Sequence, residues 1–102
     1  MSALRFQELA VKRVSPEAAG AVAITLAIPE AERERFAFEP GQFLTLRATI
    51  NGQDVRRSYS ISSPRSRLAK VGELEVGIRP VEGGVFSNWA ATSVKAGDTL
   101  QV

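Results

Sequence analysis

The 102-residue chain contains no cysteine and no histidine. Without cysteine it forms no disulfide and cannot ligate an iron–sulfur cluster. Without histidine it has no imidazole acid–base group, no Ser–His or Cys–His nucleophile and no ordinary zinc site. No apolar run approaches the roughly 18 residues that span a bilayer, so no membrane association is expected. Met1–Arg5 lacks the charged start and apolar block of a secretory leader, which predicts a cytoplasmic location. Charge of one sign is also missing. The 13 basic and 11 acidic residues leave a net charge of +2, too even a balance to argue for a nucleic-acid or membrane partner. What is present is ordinary for a globular chain, and 102 residues suffice for one core but not two. Chemistry in such a chain must come mainly from a bound cofactor.

The hydrophobic pattern has period two. Leu4 and Phe6 share one strand parity and Leu9 and Val11 the other, which predicts a bulge near Gln7-Glu8 or a strand starting at Glu8. Val22, Ile24, Leu26 and Ile28 alternate with Ala23, Thr25 and Ala27 in a second strand that Pro29 stops. The charged stretch from Glu30 to Arg35 has room for one helical turn. Pro40-Gly41 is a turn signal. A third strand follows, with Leu44, Leu46, Ala48 and Ile50 on one face and Phe43, Thr45, Arg47 and Thr49 on the other. Asn51-Gly52 then predicts a tight hairpin into a fourth strand, about Gln53 to Ser62.

Pro64 to Gly72 reads as a basic loop. Leu74, Val76 and Ile78 form the inward face of a fifth strand, and Gly77 in mid-strand suggests close approach to the backbone. Phe86, Trp89 and Ala90 have the spacing of a short amphipathic helix, with Ser87 as its N-cap and Gly83-Gly84 before it. A helix start of that kind offers bare amides to a phosphate. Thr99 to Val102 begins a sixth strand after a turn at Ala96-Gly97. Six short strands, each with one apolar face, and no strand–helix alternation predict an all-β fold: a six-stranded antiparallel Greek-key barrel with one short helix.

The segment Arg56–Pro64 carries the most chemistry. Residues two apart on a strand share a face, so Arg57 and Tyr59 project together roughly 7 Å apart. A cation beside an aromatic plate suits a ligand with both a phosphate and a flat ring. The competing reading is a half-buried edge strand with Tyr59 in the core and two solvated arginines. At the level of function the rivals are a cofactor-free β-barrel interaction module, docking an acidic partner through the 65–70 segment, and a single-strand nucleic-acid binder. The last would need several exposed aromatics along a basic groove.

Four segments, in order, resemble the ferredoxin–NADP reductase superfamily. They are Arg57-Ser58-Tyr59-Ser60 (its R-x-Y-S flavin motif), Pro40-Gly41-Gln42-Phe43, Gly83-Gly84-Val85-Phe86-Ser87 and Lys95-Ala96-Gly97-Asp98. The likeness is greatest to the reductase components of multicomponent oxygenases, including those of phenylacetate breakdown. It implies that residues 1–102 are an FAD-binding barrel domain, with FMN the less favoured cofactor. Arg57 would pair with the flavin pyrophosphate, Tyr59 would lie against the ring, and Ser60 would hydrogen-bond near N5; Ser58 belongs to the same motif. Gly77, Ile78 and Arg79 would run beside the ring and ribityl chain, chiefly through backbone. Gly83, Gly84, Val85, Phe86 and Ser87 would hold the pyrophosphate. Tyr59 and Ser60 are thus the residues expected at the reacting ring, with no acid–base residue and no metal ligand. The resemblance further implies that NAD(P)H and a [2Fe–2S] cluster bind to separate nicotinamide-binding and ferredoxin-like domains of the same polypeptide. Electrons would pass through FAD to the cluster and then to an oxygenase, and residues 1–102 alone would be slow or inactive.

Overall fold

The structure is a computed structural model and describes residues 7–17, 20–34, 36, 42–81 and 83–102. Leu4, Phe6 and the Pro40-Gly41 turn lie outside these residues. The elements run β1 (Glu8–Pro16), β2 (Val22–Ala27), a 3-10 turn (Glu30–Glu32), β3 (Phe43–Ile50) and β4 (Gln53–Ser60). They continue with α1 (Arg65–Val71), β5 (Glu73–Ile78), α2 (Val85–Ser93) and β6 (Thr99–Gln101). The strands form one six-stranded sheet in the order β4-β3-β6-β1-β2-β5, antiparallel at each pairing. Sequential pairs account for β1–β2 and β3–β4, while β6 crosses back to lie between β3 and β1.

Three expectations are corrected. The sheet is not closed by a continuous ladder: its edge strands β4 and β5 meet through one antiparallel bridge, Ile61–Val76, and the Ser62 N–H donating to the Glu75 carbonyl at 2.8 Å. There are two α-helices, because the basic segment after Pro64 is α1 rather than a loop. Its single buried residue, Leu68, gives no period to read, but the left-handed Gly72 (φ 69°) caps it by donating to the Leu68 carbonyl. Finally, the irregularity in β1 falls between Val11 and Arg13, not at Gln7-Glu8, and the strand starts at Glu8.

The period-two pattern otherwise folds as its chemistry dictates. Asn51 (φ 51°) and Gly52 (φ 78°) both adopt the left-handed conformation that a two-residue hairpin requires. The hairpin pairs β3 with β4 from Ile50–Gln53 through Phe43–Ser60. Leu46 and Ile50 are buried on its inner face with Val55, while Phe43 opposite Ser60 is 66 % exposed. One core unites the inner faces of all six strands with Phe86 and Ala90 of α2. Burial of each large side chain there contributes about 1.5–3 kcal/mol.

β2 departs from simple alternation, since Val22 to Thr25 and Leu26 are all buried. The second face of this strand is covered by an ion cluster. Glu73 accepts from Lys12 at 2.5 Å and Arg67 at 2.7 Å, and Arg67 also reaches Glu75 at 3.3 Å. Thr25 lies under this cluster, 3.5 Å from Arg67 and from Glu75. The cluster ties α1 to β1, β2 and β5.

Candidate cofactor site

The site is assembled from the end of β4, the end of β5 and the start of α2, which packs against β3, β4 and β5. β4 supplies Arg57 and Tyr59. Their shared parity with buried Val55 turns them to the inner side of the strand, opposite Leu46 and Leu44 of β3. Beyond Val55 the core no longer covers that face, so Arg57 is exposed and Tyr59 half-buried. The Tyr59 ring lies 5.7 Å from that of Phe86 at 38°, and Phe86 meets Trp89 edge-on at 5.5 Å. Tyr59 therefore has a rigid aromatic backing. Burial pushes its phenol above the ordinary value, and the nearby Arg57 charge opposes that rise.

The two adjacent arginines differ in their partners. Arg56 donates to Asp54 at 3.1 Å, and Asp54 also accepts from Arg47 at 3.0 Å. Both cations hold the Asp54 carboxyl below the usual carboxylate range, Arg56 most strongly. Arg57 donates to the Arg56 carbonyl, at 2.6 Å, and among the described residues no carboxylate pairs with it. Arg79, exposed just past β5, likewise has no acidic partner among them. A guanidinium without a carboxylate, set beside an aromatic plate, can grip an oxyanion with its bidentate fork.

At the head of α2, Gly84 is the N-cap, and Ser87 is inside the helix, so the expected Ser87 cap is corrected. Ser87 is buried instead, and its Oγ accepts the Val81 N–H at 3.3 Å, folding the loop back on the helix. The loop is fastened again by Asn88, which donates to the carbonyls of Val81 and Gly84, each at 2.7 Å. The Gly84 N–H is used on Val81 and the Asn88 N–H on Gly84. That leaves the first-turn amides of Val85, Phe86 and Ser87, which have no intrahelical acceptor and sit at the positive end of the helix. Gly83 enters the turn at φ 76°.

The remaining expected residues sort by face. Ser58 points to the outer side and shares a 2.9 Å hydroxyl contact with Thr45, so the structure does not bring it to Arg57 and Tyr59. Ser60 has the parity of Ser58 and is exposed at the strand end. Ile78 is fully buried, so only its backbone faces the site, whereas Gly77 is exposed with nothing within 4 Å of where a Cβ would stand. Sequence reasoning did not single out Ser62, Ser63 and Glu75, which join β4 to β5. The signal was there in two serines directly after the motif, but their partner lies 12 and 13 residues away.

These features fit a flavin dinucleotide. A cation without a carboxylate partner among the described residues and bare helix amides suit its phosphates. A backed aromatic suits its ring, and open strand backbone at Gly77 admits a flat group. No group of three or more metal-ligating side chains occurs among the described residues. The fold and site define a flavin-binding domain of reductase type.

The comparisons with known proteins agree. The profile of the family described as "Oxidoreductase FAD-binding domain" matches residues 8–102, and the chain belongs to that family. It is 43% identical over 97 residues to the reductase-like E component of the 1,2-phenylacetyl-CoA epoxidase of Escherichia coli K12, covering 95% of this chain and 26% of that protein. It is 38% identical over 96 residues to the ferredoxin reductase component of 3-ketosteroid-9-alpha-monooxygenase from Rhodococcus rhodochrous, covering 92% of this chain and again 26% of the relative. The chain thus spans about a quarter of the length of these relatives. Its fold matches the ferredoxin NADP+ reductase of Neisseria gonorrhoeae, solved with bound FAD and NADP, with a TM-score of 0.76 at 22% identity. That match covers 97% of this chain and 37% of the reductase. Membership in this family supports a domain that binds FAD over a cofactor-free interaction module. No helix among the described residues is long and apolar enough to cross a membrane.

Proposed function

We propose that this chain is the flavin-binding part of an NAD(P)H-dependent reductase that feeds electrons to an oxygenase. Nicotinamide-binding and [2Fe–2S] domains of the same cytoplasmic polypeptide would complete it. Phenylacetate breakdown is the favoured setting, given the 43% identity to a component of a phenylacetyl-CoA epoxidase. Bound FAD accepts an electron pair as hydride and passes the electrons on singly. The chain's own residues hold and orient it. Arg57 would pair with the pyrophosphate, and the amides of Val85, Phe86 and Ser87 would bind the same group. The Ser87 hydroxyl can add a bond, because it accepts from Val81 and keeps its proton to donate. Tyr59, backed by Phe86, would lie against the ring. Ser60 would donate near N5, with Gly77 and the Ile78 backbone alongside and Arg79 at the ribityl side.

The observation that carries this reading is Arg57 on the same face as Tyr59, with no carboxylate partner among the described residues. Its neighbour Arg56, by contrast, has its charge matched by Asp54. The test is direct. Purified full-length protein should be yellow, and denaturation should release FAD in near-stoichiometric amount. A colourless protein with no affinity for added FAD would sink the proposal.

A further inference from the structure

We propose that Ser62 and Ser63 are positioning residues for the flavin: they clasp the backbone of Glu75 and so set how Ser60 stands against Gly77. The inference rests on the flavin reading above and extends it to residues that do not themselves touch the cofactor.

β4 and β5 are the two ends of the sheet, and a free edge presents unpaired N–H and C=O groups. At Glu75 those groups are taken up. Its carbonyl accepts the Ser62 N–H at 2.8 Å and the Ser62 Oγ at 3.2 Å, and its own N–H donates to the Ser63 Oγ at 3.0 Å. Ser63 is 5 % exposed, so its hydroxyl has little water to exchange for this bond. The Ser62 hydroxyl also lies 3.0 Å from the Glu75 carboxylate. That carboxylate is held from behind by Arg67 of α1 at 3.3 Å and by Thr25 of β2 at 3.5 Å. Glu75 is therefore a fixed post, and the two serines hang the end of β4 on it.

The consequence is one of register. β4 is aligned to β3 along its whole length by the Asn51-Gly52 hairpin. Against β5, the Ile61–Val76 bridge and this clasp are what align it. With Ile61 opposite Val76, Ser60 falls opposite Gly77 one step on. Slippage by one residue would move Ser60 about 3.3 Å along β5 and reverse which faces meet. The clasp thus couples the two strands whose ends supply the ring-binding residues.

The test uses Ser62→Ala, Ser63→Ala and Ser62→Thr in the full-length protein. It reads FAD affinity by flavin fluorescence, the visible circular dichroism of bound FAD, and the thermal midpoint without FAD. Each alanine variant should weaken FAD roughly tenfold, the worth of one hydrogen bond, and change the circular dichroism of the bound flavin. Ser62→Thr, which keeps the hydroxyl on an exposed side chain, should behave as wild type. If Ser63→Ala does not fold, Ser62→Ala carries the test. Alanine variants with wild-type affinity and wild-type flavin spectrum, whatever their midpoints, overturn the inference alone. A wild-type protein that binds no FAD overturns the flavin reading and this inference with it.

Discussion

A Cβ built on Gly84 would stand 2.5 Å from the Oγ of Ser87, and 2.5 Å from a methyl of Val81. Gly84 is extended at φ −77°, so its glycine is required by contact and not by backbone strain. At Gly77 the same atom would meet nothing within 4 Å. Gly84→Ala should therefore push Ser87 off the Val81 N–H and cost about 1–3 kcal/mol of stability. Gly77→Ala should leave the thermal midpoint unchanged yet weaken FAD. Midpoints and FAD titrations on the two variants check this. A Gly77→Ala protein with wild-type affinity would mean that no ligand approaches that backbone.

The two arginines of the motif should separate as sharply. Arg57→Ala should weaken FAD about tenfold or more, since it removes a charge-assisted pair, with no change in midpoint. Arg56→Ala removes a cation already matched to Asp54 and should leave FAD affinity within about twofold. The salt dependence of the wild-type affinity should flatten only in Arg57→Ala. Equal affinity in both variants would contradict the phosphate role given to Arg57.

Tyr59 is the sole tyrosine, which makes its titration readable in the whole chain. Burial raises its pKa and the Arg57 charge lowers it. The phenolate should appear above the ordinary range near 10 in the ultraviolet difference spectrum, and later still in Arg57→Ala. Tyr59→Phe removes the hydroxyl but keeps the plate, so FAD binding should be largely retained. A phenol that titrates identically with and without Arg57 would show that the two side chains do not interact.

Glu73 governs the acid side of the stability curve. Hydrogen bonds from Lys12 first, then Arg67, lower its pKa from 4.5 to about 2 against the cost of burial. The folded value lies below the unfolded one, so its stabilising effect is complete above the unfolded value and is lost as pH falls from about 4.5 toward 2. Glu73→Gln should cost about 1–3 kcal/mol at neutral pH and flatten that acid limb. Denaturant melts at a series of pH values measure both. An unchanged acid limb in the variant would exclude Glu73 as its source.

Local chemistry settled much of this protein from the sequence. Strand parity at Leu44–Ile50 and Leu74–Ile78, the Asn51-Gly52 hairpin and the shared face of Arg57 and Tyr59 are all properties of neighbours along the chain. Period-two alternation and turn dihedrals therefore sufficed to read them. The flavin motif was legible for the same reason, being four consecutive residues. The tertiary structure decided what depends on distant partners. A lone buried Leu68 makes α1 a helix only because it has a core to enter. Arg56 and Arg57 differ only because Asp54 turns toward one of them. Thr25 is buried because Arg67 and Glu73, some 40 to 50 residues on, close over it. Ser62 and Ser63 acquire a role only when the sheet curls far enough to bring Glu75 within hydrogen-bonding reach. Hydrogen bonds and ion pairs act over about 3 Å in space, and sequence separation carries no record of which distant pairs the fold will bring that close.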